Sequence, residues 1–261
     1  MRKTFLAACT ASLIVFSISA FASEAIPLPP KDPTLKQAIK WYRDSAEKKA
    51  LYREVFAAGY QYIQNTVKES ELKPKTWGIV LDIDETTLDN SAYFYKYENC
   101  LDDESTFETY VTIPGKSTAL PGVKEMVKKV HSLGGYVSFV TNRDGSFKDS
   151  EGNSLDATVQ TLKNNDIYFD QVILSNYKDS ATPTDKNLRF KAVEEGTGYN
   201  PNDMVWSNEL PAHKVIAYFG DNIQDFPKLK QPGMVNQDAD GNAFDKFGNG
   251  FFILPNPMYG S

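Results

Sequence analysis

The stretch Trp77-Gly78-Ile79-Val80-Leu81-Asp82-Ile83-Asp84-Glu85-Thr86 decides the fold. From Trp77 to Ile83 it is an apolar run short enough for a buried strand, and it ends in a cluster of acids. Two later runs repeat the design. Tyr136 to Thr141 follows the amphipathic stretch Val123 to Leu133 with its Gly134-Gly135 stop, and Val215 to Asp221 follows Pro211. A fourth run, Gln171 to Ser175, lies between them. Strands alternating with helical segments predict an α/β fold. Its Rossmann-like parallel sheet would be covered by helices on both faces, with ligands beyond the carboxyl ends of the strands. Each polar cluster falls at such an end.

Upstream, the apolar positions Ile39, Tyr42, Ala46, Ala50, Val55, Tyr62 and Ile63 recur at helical spacing from about Thr34 to Lys68, with no Gly or Pro until Gly59. They predict two helices or one broken helix, whose aromatics Trp41, Tyr42, Tyr52 and Tyr60 fill a core rather than stripe a cofactor. Downstream, Gln237 to Gly250 reads as a turn-rich loop before a last strand, Phe251 to Leu254. Asp238-Ala239-Asp240-Gly241-Asn242 begins like a calcium loop, but its glycine stands fourth rather than sixth and no Glu closes it.

The composition narrows the chemistry. Of 261 residues, 41% are apolar, and 34 acids outweigh 28 bases for a formal charge of −6. The bases are scattered, which predicts no nucleic-acid polymer as partner. Two histidines, His131 and His213, cannot build a multi-His zinc site, so oxygen-ligated cations and carboxylate chemistry are expected.

Residues 1–22 carry Arg2 and Lys3, the apolar run Leu13-Ile14-Val15-Phe16 and a terminal Ala20-Phe21-Ala22. This is the pattern of a secretory signal peptide cleaved after Ala22, giving a periplasmic or secreted chain of 239 residues with no stable membrane anchor. Cys9 after Leu6-Ala7-Ala8 resembles a lipidation site but leaves almost no hydrophobic stretch before it. Cleavage takes the charge to −8 and leaves Cys100 as the sole thiol, so no internal disulfide forms. Residues 23–34 read as an extended, Pro-rich leader.

Asp82 and Asp84 lie two apart at a strand end, where side chains alternate, so both carboxylates can face one pocket. One can attack an electrophile while the other donates to the leaving group and later takes a proton from water. Thr86 follows at the same spacing. Thr141 offers a hydroxyl and neighbouring backbone N–H groups at the same sheet edge, although read alone it is equally a turn cap. Lys186, before the amphipathic stretch Leu188 to Glu195, can bring a positive charge over the site, or can be a solvated lysine. Asp221 and Asp225 follow the strand Val215 to Phe219 and can supply a magnesium carboxylate and its support.

In this order the segments resemble the four motifs of the haloacid dehalogenase (HAD) superfamily: DxDxT, a Ser or Thr, a Lys and GDxxxD. Leu88-Asp89-Asn90-Ser91, Thr141-Asn142-Arg143, Gly220-Asp221-Asn222 and Leu254-Pro255-Asn256-Pro257-Met258-Tyr259-Gly260 are similar to the exported class C acid phosphatases related to lipoprotein e(P4). The resemblance implies a HAD-like core over residues 73–261 with a small cap insertion at about 89–120, behind an N-terminal helical segment at 35–72. It implies Asp82 as nucleophile, Asp84 as general acid and base, and Thr86 as a brace. Thr141 and Lys186 would bind phosphoryl oxygens, with Asn142 and Arg143 as further substrate contacts. Mg2+ would sit on the Asp82 carboxylate, the Asp84 backbone carbonyl and Asp221, with Asp225 behind them or as an outer ligand. Lys191 competes with Lys186, but Lys186 stands at the family's distance from Arg189-Phe190.

The substrate implied is a small phosphomonoester, in particular a nucleoside 5′-monophosphate, clamped by Phe107, Tyr110 and Tyr259 unless these only pack the cap. The resemblance also suggests a homodimer. Two other readings stand beside hydrolysis: a noncatalytic storage or ligand-binding member of the fold, and a phosphotransferase that passes the phosphoryl group to an alcohol. Cysteine and histidine phosphatase chemistry is excluded, because Thr106 stands where an Arg should follow Cys100 and no Arg-His pair exists.

Overall fold

The computed structural model describes residues 35–97, 104–113, 115–149 and 152–259. The expected signal peptide, the leader and Cys100 lie outside the described residues. Helices α1 (Leu35–Asp44) and α2 (Ala46–Glu69) realise the two-helix reading. The break is Ser45, whose side chain caps α2 by accepting the Lys48 N–H at 3.1 Å. Gly59 lies inside α2. A Cβ there would stand 2.4 Å from the Phe219 ring, so its lack of a side chain lets the helix press onto the sheet.

The remaining elements alternate as expected. Strand β1 (Trp77–Leu81) leads into a two-residue strand β2 (Leu88–Asp89), helices α3 (Ser91–Tyr97) and α4 (Glu104–Thr112), and β3 (Thr118–Ala119). Next come α5 (Val123–Ser132), β4 (Tyr136–Asp144), a small ribbon of β5 (Lys148–Asp149) and β6 (Gly152–Asn153), α6 (Ser154–Asn164) and β7 (Gln171–Ser175). The chain then runs through α7 (Asn187–Glu195), β8 (Met204–Trp206), β9 (Lys214–Gly220), α8 (Gln231–Met234) and β10 (Phe251–Ile253).

Six strands form one sheet in the order β10-β9-β1-β4-β7-β8. All neighbours are parallel except β7 and β8, so the expected parallel sheet carries one antiparallel edge strand. β8 follows α7 through a short turn-rich segment and is only three residues long, which left no run for sequence reading to find. β1 is buried throughout and lies between β9 and β4, with Leu81 level with both Phe219 and Phe139. With Leu81, Phe139 and Phe219 level, Asp82, Thr141 and Asp221 follow within two residues of that level and meet at one sheet edge.

The excursion from β2 to β3 opens and closes on itself. Leu88 pairs with Ala119 and Asp89 with Thr118 in an antiparallel ribbon, and α3 and α4 project beyond it. Their aromatics gather around Tyr93, whose ring centroid lies 5.2 Å from those of Phe94, Phe107 and Tyr110. No described helix is long and apolar enough to cross a membrane.

Candidate active site

The turn after β1 is held in an uncommon backbone conformation. Glu85 has φ +56°, a left-handed value that costs a side-chain-bearing residue about 1 kcal/mol or more unless the surroundings impose it. They do. Its carbonyl accepts the Tyr52 hydroxyl and, at 3.4 Å, the Tyr42 hydroxyl. Its carboxylate accepts the Asn90 N–H at 2.7 Å and the Tyr259 hydroxyl. Asp82 and Asp84, which lead into this turn, both line a cavity of about 470 Å³.

Asp82 is buried, and Lys186 from the start of α7 donates to it and, at 2.6 Å, to Asp225. Lys186 is itself buried, whereas Lys191 is exposed and lies 3.9 Å from Glu195 along its helix. Asp225 is seated by the turn after β9, where it accepts the N–H groups of Asp221 at 3.1 Å and Asn222 at 2.9 Å. A Cβ on Gly220 would fall 2.2 Å from the Asp225 Cβ, so the glycine of this motif makes room for the carboxylate. Asp221 accepts from Thr86 Oγ1 and from Asn256 Nδ2, each at 2.8 Å.

Oxygens of Asp82, Asp221 and Asp225 all lie within 4.8 Å of one another. Burial, followed by the neighbouring carboxylates Asp225, Asp221 and Asp84, pushes Asp82 upward against the pull of Lys186. Burial and Asp225 raise Asp221 to about 7. Burial opposes the Lys186 ammonium, but Asp225 and Asp82 overcome it and hold its pKa above the usual value. A largely buried, all-oxygen set of three acids against one ammonium fits a hard divalent cation, which would relieve this repulsion. The Asp84 carboxylate is not in that set.

Arg143, buried on β4, grips both Asp84 oxygens, with Nη2 2.7 Å from one and Nε 3.0 Å from the other. Asn90 adds a bond to Asp84 at 2.7 Å, and the Thr141 hydroxyl stands 3.5 Å away. Two of the expected substrate contacts thus have protein partners. Arg143 Nη1 donates to Thr158 at 3.1 Å, while the Asn142 side chain accepts from Arg189 and donates to the Thr184 carbonyl at 3.3 Å. Phe107 and Tyr259 line the cavity with Asp82, Asp84, Thr141 and Lys186. Tyr110 is not among the lining residues; it is buried against Tyr93, with its hydroxyl 3.4 Å from the Lys116 carbonyl.

Residues that pattern reading left without a role also reach the site. Glu108 on α4 lines the cavity and accepts the Asp144 N–H at 2.7 Å. Asn256 holds Asp221, and Glu85 anchors the turn. Glu85 lies inside the first motif and Asn256 inside the family-like stretch Leu254 to Gly260, though neither had a role assigned; nothing in its surroundings marked Glu108.

Comparison with known proteins places this arrangement. Residues 20–261 match the family described as HAD superfamily, subfamily IIIB (acid phosphatase). The class C acid phosphatase from Bacillus anthracis is 27% identical, with a TM-score of 0.66 over 87% of this chain and 85% of that one. The same enzyme with tungstate bound gives 0.67, with the same identity and coverage. Fold and site together define a phosphomonoester hydrolase of the HAD superfamily. More particularly, the chain belongs to subfamily IIIB, the acid phosphatases.

Proposed function

We propose that the protein is an exported, Mg2+-dependent acid phosphatase that hydrolyses small phosphomonoesters, nucleoside 5′-monophosphates in particular, through an aspartyl-phosphate on Asp82. The observation that carries this reading is the pair Asp82 and Asp84 facing one cavity at the end of β1, with Lys186 buried against Asp82. The Asp82 carboxylate attacks phosphorus as the ester P–O bond breaks, and the Asp84 carboxyl gives its proton to the departing alkoxide. Asp84 then takes a proton from water, whose oxygen attacks the phosphoryl group, and Asp82 and inorganic phosphate are released. This order calls for greater activity below neutrality than above it. Lys186 and Thr141 steady the phosphoryl oxygens, and Arg143 aims Asp84. Bound at Asp82, Asp221 and Asp225, with the Asp84 carbonyl as a further donor, Mg2+ supplies positive charge that offsets the repulsion between carboxylate and phosphate. The tungstate bound to the Bacillus anthracis relative supports an oxyanion site in this fold.

The nucleotide preference rests on aromatic walls. Phe94, Phe107, Phe147, Tyr177 and Tyr259 line the same cavity, and a base stacked on such rings gains about 1 to 3 kcal/mol each. Export rests on the signal-like character of residues 1–22. The decisive assay is phosphate release from 5′-AMP and p-nitrophenyl phosphate, with MgCl2 or EDTA, beside Asp82→Asn. We expect activity that needs both metal and Asp82, falling by about 10³-fold or more in the variant. Folded, metal-loaded protein inert toward both esters would refute the reading. Phosphorylated alcohol among the products when glycerol is added would favour phosphotransfer over simple hydrolysis.

A further inference from the structure

Of the three clustered carboxylates, Asp221 alone makes no ion pair among the described residues; Asp82 and Asp225 share Lys186. Something else must orient it. One oxygen accepts from Thr86 and the other from Asn256, three residues past the end of β10. We infer that Asn256 is a positioning residue for the metal site, and that the segment after β10 completes that site by fixing the carboxylate plane of Asp221. The inference rests on the metal-dependent reading above and extends it to a residue outside the four motifs.

The segment is built to deliver this amide. The Leu254 N–H donates to the Gly220 carbonyl at 2.8 Å, which lays the chain along the end of β9, the strand that leads into Asp221. The Pro255 carbonyl lies 3.3 Å from the Tyr52 hydroxyl, beside the bond that hydroxyl donates to Glu85. Asn256 Oδ1 accepts the Met258 N–H at 3.0 Å, so its NH2 group is the end that faces Asp221. Tyr259 ties the following turn to Glu85, in the same loop as the nucleophile. Both donors to Asp221 are neutral. They orient the carboxylate without cancelling its charge and leave each oxygen lone pairs to offer a cation, as outer partners of metal ligands do.

The test is calorimetric titration of MgCl2 into the purified protein and into Asn256→Ala and Asn256→Leu, the second of which keeps the branching and bulk of asparagine without its amide. Thermal melts in EDTA report that each variant is folded. We expect Mg2+ to bind either variant about 10- to 100-fold more weakly, with a correspondingly smaller rise in melting temperature on adding MgCl2. A folded variant that binds Mg2+ within about twofold of the unaltered protein would overturn the inference while leaving the metal-dependent reading intact. Failure of the unaltered protein itself to bind would overturn both.

Discussion

At the scale of single residues the site is a problem in charge. Among the described residues Lys186 is the one ammonium set between Asp82 and Asp225, and burial makes its partners costly to leave behind. Replacing it by Met should destabilise the metal-free protein by about 3 to 5 kcal/mol, the usual penalty for orphaning buried charge. MgCl2 should restore part of that loss, which urea denaturation with and without the ion would measure; an equal loss in both conditions would show that ammonium and cation do not share a task. The choice between Lys186 and Lys191 illustrates what spacing can and cannot carry. Their distances from the motif favoured Lys186, but only the turn of α7 buries the one and leaves the other in solvent. Likewise Arg143 was legible as a site residue, whereas its hold on Asp84 depends on how β4 lies beside β1.

At the scale of elements, α4 meets the core through a buried acid. Glu108 accepts from the Asp144 N–H and, at 3.4 Å, from the Ser154 hydroxyl at the start of α6. Burial pushes its carboxyl from the usual 4.5 to about 8; Asp84 and Asp144 reinforce this, while the Asp144 N–H and Arg143 oppose it. Because the folded state holds this proton more tightly than the unfolded chain, the associated stability is full below about pH 4.5 and is lost as pH rises toward 8. Glu108→Gln should therefore lose less stability than the unaltered protein between about pH 5 and about pH 8 in urea melts. Parallel pH curves would sink this account. Strands β1, β4, β7, β9 and β10 were readable because each is an apolar run with clear ends. Helices α3 and α4 were anticipated only as a cap region, since their aromatics pack on one another around Tyr93 rather than along a single regular stripe.

At the scale of the whole molecule, segments far apart in sequence converge on one turn. α1 brings Tyr42, α2 brings Tyr52, and the last described residues bring Tyr259, all hydrogen-bonded to Glu85. Ile39 and Tyr42 are buried, so deleting Leu35–Asp44 removes core as well as a brace. We expect that deletion to cost about 3 kcal/mol or more and to lower phosphatase activity even where the chain remains folded, as urea melts and p-nitrophenyl phosphate turnover would report. Full activity in a folded deletion would show that the turn holds itself. By itself the sequence determined the alternating strands and helices, the acids at their carboxyl ends and the family, because apolar period, chain punctuation and short motifs are local properties. The tertiary structure alone decided the antiparallel edge strand β8, the partners of Arg143 and Asn142, the burial of Tyr110 away from the cavity, the reach of Glu108 into it and the hold of Asn256 on Asp221. Those depend on contacts such as that of Arg143 with Asp84, 59 positions apart, and of Asn256 with Asp221, 35 positions apart, where folding, and no local pattern, selects the neighbour.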